Sequence, residues 1–184
     1  MPTHLRDALA HAKMKEWTGW CHYDTVEILK PSEVQTLPRY VQAVPTRFVI
    51  TDKNETSRTP ENPLPVLLKG RLVVLGNLER DAKFRHDAPT GSLLAQHMVL
   101  AWAAAGGGSG KPVRIIRKMD AKNAYLQGDA ITRELYLRPP AGGIPGVEMK
   151  PGSLMRAKVP IYGTGDAARG WWKKISRSLE NSKW

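Results

Sequence analysis

This chain is short of acid, yet one carboxylate, Asp120, stands where an apolar, β-branched run ends in "IIRKMDAKNAYLQGD" (115–129). A carboxylate held at the rigid end of a strand can serve as a hard oxygen ligand for a divalent ion, as two-metal phosphoryl transfer requires. The same residue can instead cap the turn "AKNAYLQG" that follows, and spacing alone favours the cap. A two-metal site needs further carboxylates, and the later acids, Asp129, Glu134, Glu148, Asp166 and Glu180, are scattered rather than paired. Tyr125 lies five residues beyond Asp120. A helical turn there would bring it back as one wall of a pocket; the alternative is a core aromatic.

Two cations in "LLKGRLVVLG", Lys69 and Arg71, are spaced to share one face of a strand. Together they can hold a triphosphate, the arginine as a planar fork and the lysine as a point charge; a solvated strand face fits them equally well. The run "YGTGDAARG" (162–170) matches Gly-x-Gly-x-x-Ala, a dinucleotide-binding pattern. That pattern also needs a later strand carrying an acid, and the chain ends before one can appear. Beyond it, Arg169, Lys173, Lys174 and Arg177 flank Trp171 and Trp172. Basic groups interleaved with aromatics suit a nucleic-acid backbone and stacked bases, while the bland reading packs one tryptophan inward and solvates the lysines. No Ser-His-Asp order and no metal-binding His pair stands out.

The elements that must position these residues follow from periodicity and turn signals. A helix is expected over 3–17 with Thr3 as its cap, and a short strand over 25–29. The connector "KPSEVQTLPRYVQAVP" follows, and then two β-rich runs, 46–51 and 66–76, form a hairpin with a long charged tip. Thr90 or Ser92 should cap a helix that buries Leu94, His97, Met98, Ala101 and Trp102 on one face, with His97 a core histidine. After a flexible break at 105–112 come a strand ending at Asp120, a short helix or turn, strands at 133–140 and within "LMRAKVPIYG", and a last helix over "DAARGWWKKISRSLE". The order is that of an α+β fold.

Composition sets the partner class. The net charge of +11 is uneven: residues 1–60 carry +1 and residues 61–184 carry +10. A basic field of this kind suits a polyanion, nucleic acid above all. The lone Cys21 excludes an internal disulfide, and no Cys/His spacing suits zinc. No secretory leader or membrane-length run is visible, so an intracellular setting is expected, cytoplasm and nucleus being equally open.

Taken in order, these pieces resemble the N-terminal part of the copia-type retrotransposon reverse transcriptase domain. "RKMDAKNAYLQGDAITRELYLRPPAG" is similar to the family's D-x-K-x-A-aromatic-L-x-G core, here Asp120 to Gly128, and "YGTGDAARGWW" to its Tyr-Gly…Ala-Arg-x-Trp pattern. "VPTRFVITDKNE…LLKGRLVVLGNLE" looks like its fingers hairpin and "RHDAPTGSLLAQHMVLAWAA" like its following helix. The resemblance implies the fingers and partial palm of a right-hand polymerase, an antiparallel sheet with packed helices, cut short before the palm is complete. Its parts would be an N-terminal helix and connector (1–45), a fingers-like hairpin and helix (46–110) and a partial palm (111–184).

The resemblance also implies roles. Asp120 would be the first catalytic aspartate and a magnesium ligand, and Tyr125 the aromatic gate under the incoming sugar. Lys69 and Arg71 would touch the nucleotide's phosphates, with Tyr162 and Gly163 beside nucleotide and template. Partners would be an RNA/DNA template-primer, deoxynucleoside triphosphates and the rest of a Pol polyprotein, with no membrane. The family's Lys-Gln-(Ser/Ala)-Pro is replaced here by Gly165-Asp166-Ala167-Ala168, which puts an acid near the template. The family's aromatic-x-Asp-Asp strand lies beyond the sequence, so the chain alone is expected to be inactive. The alternative is a non-catalytic basic nucleic-acid-binding relic or domesticated module; a nucleotide-cofactor oxidoreductase is the remote third reading.

Overall fold

A computed structural model describes residues 2–79, 87–106 and 112–182. Among the described residues there are four α-helices: α1 (Thr3–His22), α2 (Pro31–Gln35), α3 (Leu93–Ala104) and α4 (Ala167–Asn181). Five strands, β1 (Val26–Leu29), β2 (Ala43–Asp52), β3 (Leu68–Val74), β4 (Tyr136–Arg138) and β5 (Leu154–Ala157), form one sheet in the order β1-β5-β4-β2-β3. The architecture is α+β, as expected.

The sheet is mixed, not antiparallel throughout. β2 and β3 form the expected hairpin, from Thr46 opposite Val74 to Asp52 opposite Leu68. The start of β2, Ala43–Pro45, instead runs parallel to Tyr136–Arg138 of β4. Ten residues of β2 therefore bind two partners, the first three on one side and the rest on the other. No local pattern in 43–52 announces that switch, because β-propensity does not encode which strand is the neighbour.

The hairpin tip is tied by Asp52. Its carboxylate accepts from the Leu67 N–H (2.9 Å), from the Asn54 N–H (3.1 Å) and from the Arg58 guanidinium (2.6 Å). The Leu67 amide foremost, with Arg58, holds the Asp52 carboxyl below the usual carboxylate range. Asp52→Ala is expected to leave the sheet folded and to speed limited proteolysis within 53–67 by several-fold, read on a gel time course; unchanged cleavage would remove the anchoring role.

The core lies where α1 crosses the sheet. Trp20, Leu72, Leu126, Leu137, Met155 and Ile161 are fully enclosed. Gly70 sits under α1, where a Cβ would come within 2.9 Å of the Ala12 carbonyl oxygen. The helix runs five residues past its expected end and so adds Trp20 to the core beside Trp17. Nothing breaks it before Asp24, which takes φ +48°. Its cap is Pro2 rather than Thr3, with the Pro2 carbonyl accepting from Leu5 and Arg6. Within the expected connector, Pro31 at the first helical position and Glu33, accepting from the Lys30 N–H at 2.7 Å, start α2.

Two further expectations fail. Residues 112–120 form no strand; Val113 and Ile115 are 77% and 75% exposed. β-branched residues make a strand only where they pair with a neighbour, and this run pairs with none of the five strands. Helix α3 does form, with the Ser92 hydroxyl accepting from the Ala95 N–H at 3.1 Å. It does not bury the expected face, however: Leu94, Met98 and Trp102 are 70%, 64% and 60% exposed, and His97 is exposed, not a core histidine. α3 is apolar on every side, so its sequence carries no single stripe to orient it against the sheet. The break expected at 105–112 lies mostly outside the described residues.

Candidate nucleotide and nucleic-acid interface

β3 is the edge strand of the sheet, and two groups occupy its outward N–H positions two residues apart. The Leu72 N–H donates to Glu16 of α1 at 3.3 Å, and the Val74 N–H donates to the Tyr162 carbonyl at 2.8 Å. An edge covered in this way is shielded from pairing with other chains. The Tyr162 contact also brings the segment before α4 against β3, with backbones almost touching. Gly163 takes φ +97°, and a Cβ on it would stand 2.0 Å from the Val74 carbonyl oxygen. A Cβ on Gly76 would meet the Gly163 oxygen at 2.1 Å. The glycine in "YGTG" thus serves backbone approach. No strand precedes it directly, since β5 ends at Ala157, so the dinucleotide-binding pattern has no structural counterpart here.

This approach assembles a cation–aromatic cluster. The Arg71 guanidinium lies over the Tyr162 ring, its Cζ 4.4 Å from the ring centroid. The Tyr125 ring packs against Tyr162 at 5.1 Å between centroids. Tyr125 is placed by a 3-10 turn, Ala124–Gln127, against which α4 packs. Burial pushes the Tyr162 phenol above its usual range, with the Arg71 charge opposing the rise. Among the described residues, no hydrogen bond consumes the Arg71 N–H groups. Stacking uses the face of the guanidinium and leaves its in-plane donors for an anion. Lys69, on the same face of β3, is exposed. Of the expected nucleotide-contacting residues, Arg71, Tyr125 and Tyr162 are therefore brought together, Gly163 follows directly, and Lys69 lies one step along the strand.

Asp120 is exposed and lies outside any strand. It does not cap the turn either: Asn123, at φ +52°, holds the cap position. Among the described residues Asp120 makes no hydrogen bond or ion pair, and no three His, Cys, Asp or Glu side chains gather as a metal site. Hard divalent ions need several oxygen ligands, so the described residues alone do not make a magnesium site.

The basic helix is partly neutralised. Arg169 pairs with Asp87 at 3.0 Å and sits 5.8 Å from the Trp172 ring centroid. Lys174 pairs with Asp129 at 3.5 Å, and Arg177 also contacts Asp129. Trp171 and Trp172 are both half-buried, while Lys173 is exposed.

Two residues that matter here were not legible from spacing. One is Glu16. The other is Arg133, which donates to Glu79 at 2.8 Å and forks onto Asp166, the second contact at 3.2 Å. Burial lowers the Arg133 pKa, but its two carboxylate partners more than offset this and leave it raised. Asp166, the acid that departs from the family pattern, is thereby engaged by an arginine. The glutamate directly after the turn that follows β3 and the aspartate at the start of α4 are too far apart in sequence for any local signal.

The fold and site define a basic α+β chain with a cation–aromatic cluster at a sheet edge. The family model described as "Reverse transcriptase (RNA-dependent DNA polymerase)" matches residues 30–184. The chain belongs to that family. No curated protein and no solved structure matches. Among the described residues no helix is long and apolar enough to cross a membrane.

Proposed function

We propose that the chain supplies the nucleotide- and template-contacting surface of a copia-type retrotransposon reverse transcriptase, with fingers and a partial palm as its parts. The observation that carries this reading is Arg71 stacked on Tyr162 beside Tyr125, with its donors unspent and Lys69 on the same strand face. In this reading Arg71 and Lys69 hold the triphosphate. The Tyr125 and Tyr162 rings line the sugar and base, and Lys173, with Arg169, Trp171 and Lys174, follows the nucleic-acid backbone. Asp120 is the family's first catalytic aspartate and one magnesium ligand. Since the described residues give it no companion carboxylates, the 184-residue chain is not expected to extend a primer by itself.

Arg71→Ala should weaken binding of a deoxynucleoside triphosphate about ten- to a hundredfold, the range of charge-assisted hydrogen bonds to one guanidinium. Titration calorimetry on the native chain and the variant measures this. Equal affinities would sink the assignment of Arg71, and primer extension by the chain alone would sink its expected inactivity.

The solitary, exposed Asp120 favours a second reading, a non-catalytic basic nucleic-acid-binding module. That reading predicts salt-dependent binding to single strands with no saturable triphosphate site.

A further inference from the structure

Helix α1 lies entirely outside the segment that matches the family, yet one of its side chains reaches the strand that carries Lys69 and Arg71. Glu16 accepts from the N–H of Leu72, the residue directly after Arg71. It is half-buried, beside the fully enclosed Trp20, whose indole N–H lies near the carboxylate without meeting hydrogen-bond geometry. Glu16 and the Tyr162 carbonyl therefore hold successive outward N–H groups of β3, those of Leu72 and Val74, directly after the position from which Arg71 reaches the Tyr162 ring.

We propose that Glu16 is a positioning residue with an opposing charge: it pins β3 next to Arg71 and, while ionised, weakens polyphosphate binding at Lys69 and Arg71. The proposal rests on the reading of Lys69 and Arg71 as phosphate contacts. An anion that reaches these two cations enters the field of a carboxylate only one residue along the strand. Because β3 is pinned through a backbone contact, Glu16 cannot swing away without releasing the Leu72 N–H.

The charged groups around Glu16 are Arg71 and Lys69 from β3, and Tyr162, itself within reach of Tyr125 and Tyr23. Burial raises the Glu16 carboxyl above the usual carboxylate range, against the opposing pull of the Leu72 N–H and of Arg71. The sign follows. Above its pKa the carboxylate repels the polyphosphate; as pH falls through that pKa, protonation removes the repulsion. The affinity should rise relative to a chain in which position 16 never ionises.

The test is calorimetric titration of the 184-residue chain with inorganic tripolyphosphate at pH 7.5 and pH 5.5, using the native chain, Glu16→Gln and Arg71→Ala. Glutamine keeps an oxygen for the Leu72 N–H, so circular dichroism should be unchanged. The expected result is about three- to tenfold tighter binding by Glu16→Gln at the higher pH, the scale of one partly screened charge against a polyanion, and a smaller ratio at the lower pH. Equal or weaker binding by Glu16→Gln at pH 7.5, with Arg71→Ala still impaired, overturns the Glu16 role and leaves the phosphate site standing. Arg71→Ala binding as the native chain does overturns the phosphate site, and this inference with it. If Glu16→Gln fails to fold, Glu16→Ser is titrated in its place against the native chain: tighter binding at pH 7.5 is expected, and equal or weaker binding overturns the proposal.

Discussion

Gly163→Ala is expected to be the most damaging single-methyl change in the molecule. The added Cβ would stand 2.0 Å from the Val74 carbonyl oxygen, at a backbone φ of +97°. The close neighbour is backbone rather than the end of a flexible side chain, so relief requires moving β3 away from the 161–164 segment. That movement breaks the Val74 N–H to Tyr162 carbonyl bond and lifts the Tyr162 ring from under Arg71. Strain from positive φ contributes about 1–2 kcal/mol for an L-residue, and the steric conflict brings the total to about 3–5 kcal/mol. For a chain of this size that lowers the melting temperature by roughly 10 °C. Gly152→Ala is the control: its φ is +85°, with nothing within 4 Å of the new Cβ. It should lose only the conformational part. Equal losses for the two variants would show that backbone contact at Gly163 is not the cause.

The second large effect belongs to Arg133. Its guanidinium is held between Glu79, just past β3, and Asp166, at the start of α4, with side-chain exposures of 24%, 9% and 19% respectively. Replacing it with leucine leaves two neighbouring carboxylates facing each other, largely shielded from water. Removing one member of such a buried charge network costs about 2–4 kcal/mol, mostly through the unpaired partners. Arg133→Lys should recover only part of this, because an ammonium keeps the charge but cannot reproduce the planar fork that meets both oxygens of each carboxylate. Urea denaturation of the three chains checks the ranking. The same link fixes where α4 begins, so Arg133→Leu should also weaken triphosphate binding, although Arg133 is not among the residues placed at the nucleotide. A leucine variant as stable as the native chain would mean that the network contributes nothing.

Much of the architecture was legible. The hairpin of β2 and β3 announces itself by two β-rich runs flanking a polar segment, and α4 by its amphipathic spacing with basic residues outside. Lys69 and Arg71 share a strand face because strands alternate with period two, whatever surrounds them. The Ser92 cap is local too: a hydroxyl reaching an N–H three residues on. By contrast, the reading of 113–120 as a strand took β-propensity as sufficient. Val113 and Ile115 have it, but a strand needs a paired neighbour, and none of the five strands takes this run as one. Helix α3 had a correct cap and an incorrect burial, since an all-round apolar helix gives no preferred face.

Local chemistry, set within a few residues of chain, lets the sequence by itself determine the three longer helices, the hairpin, the basic field and the residue types that can meet a polyphosphate. Only the tertiary structure decided which of those residues meet. Glu16 reaches Leu72 across 56 positions, and Arg133 reaches Glu79 across 54 and Asp166 across 33. Contacts that distant depend on how strands order themselves in the sheet, and that order is fixed by the whole core at once, not by any stretch a reader of the sequence can inspect in isolation.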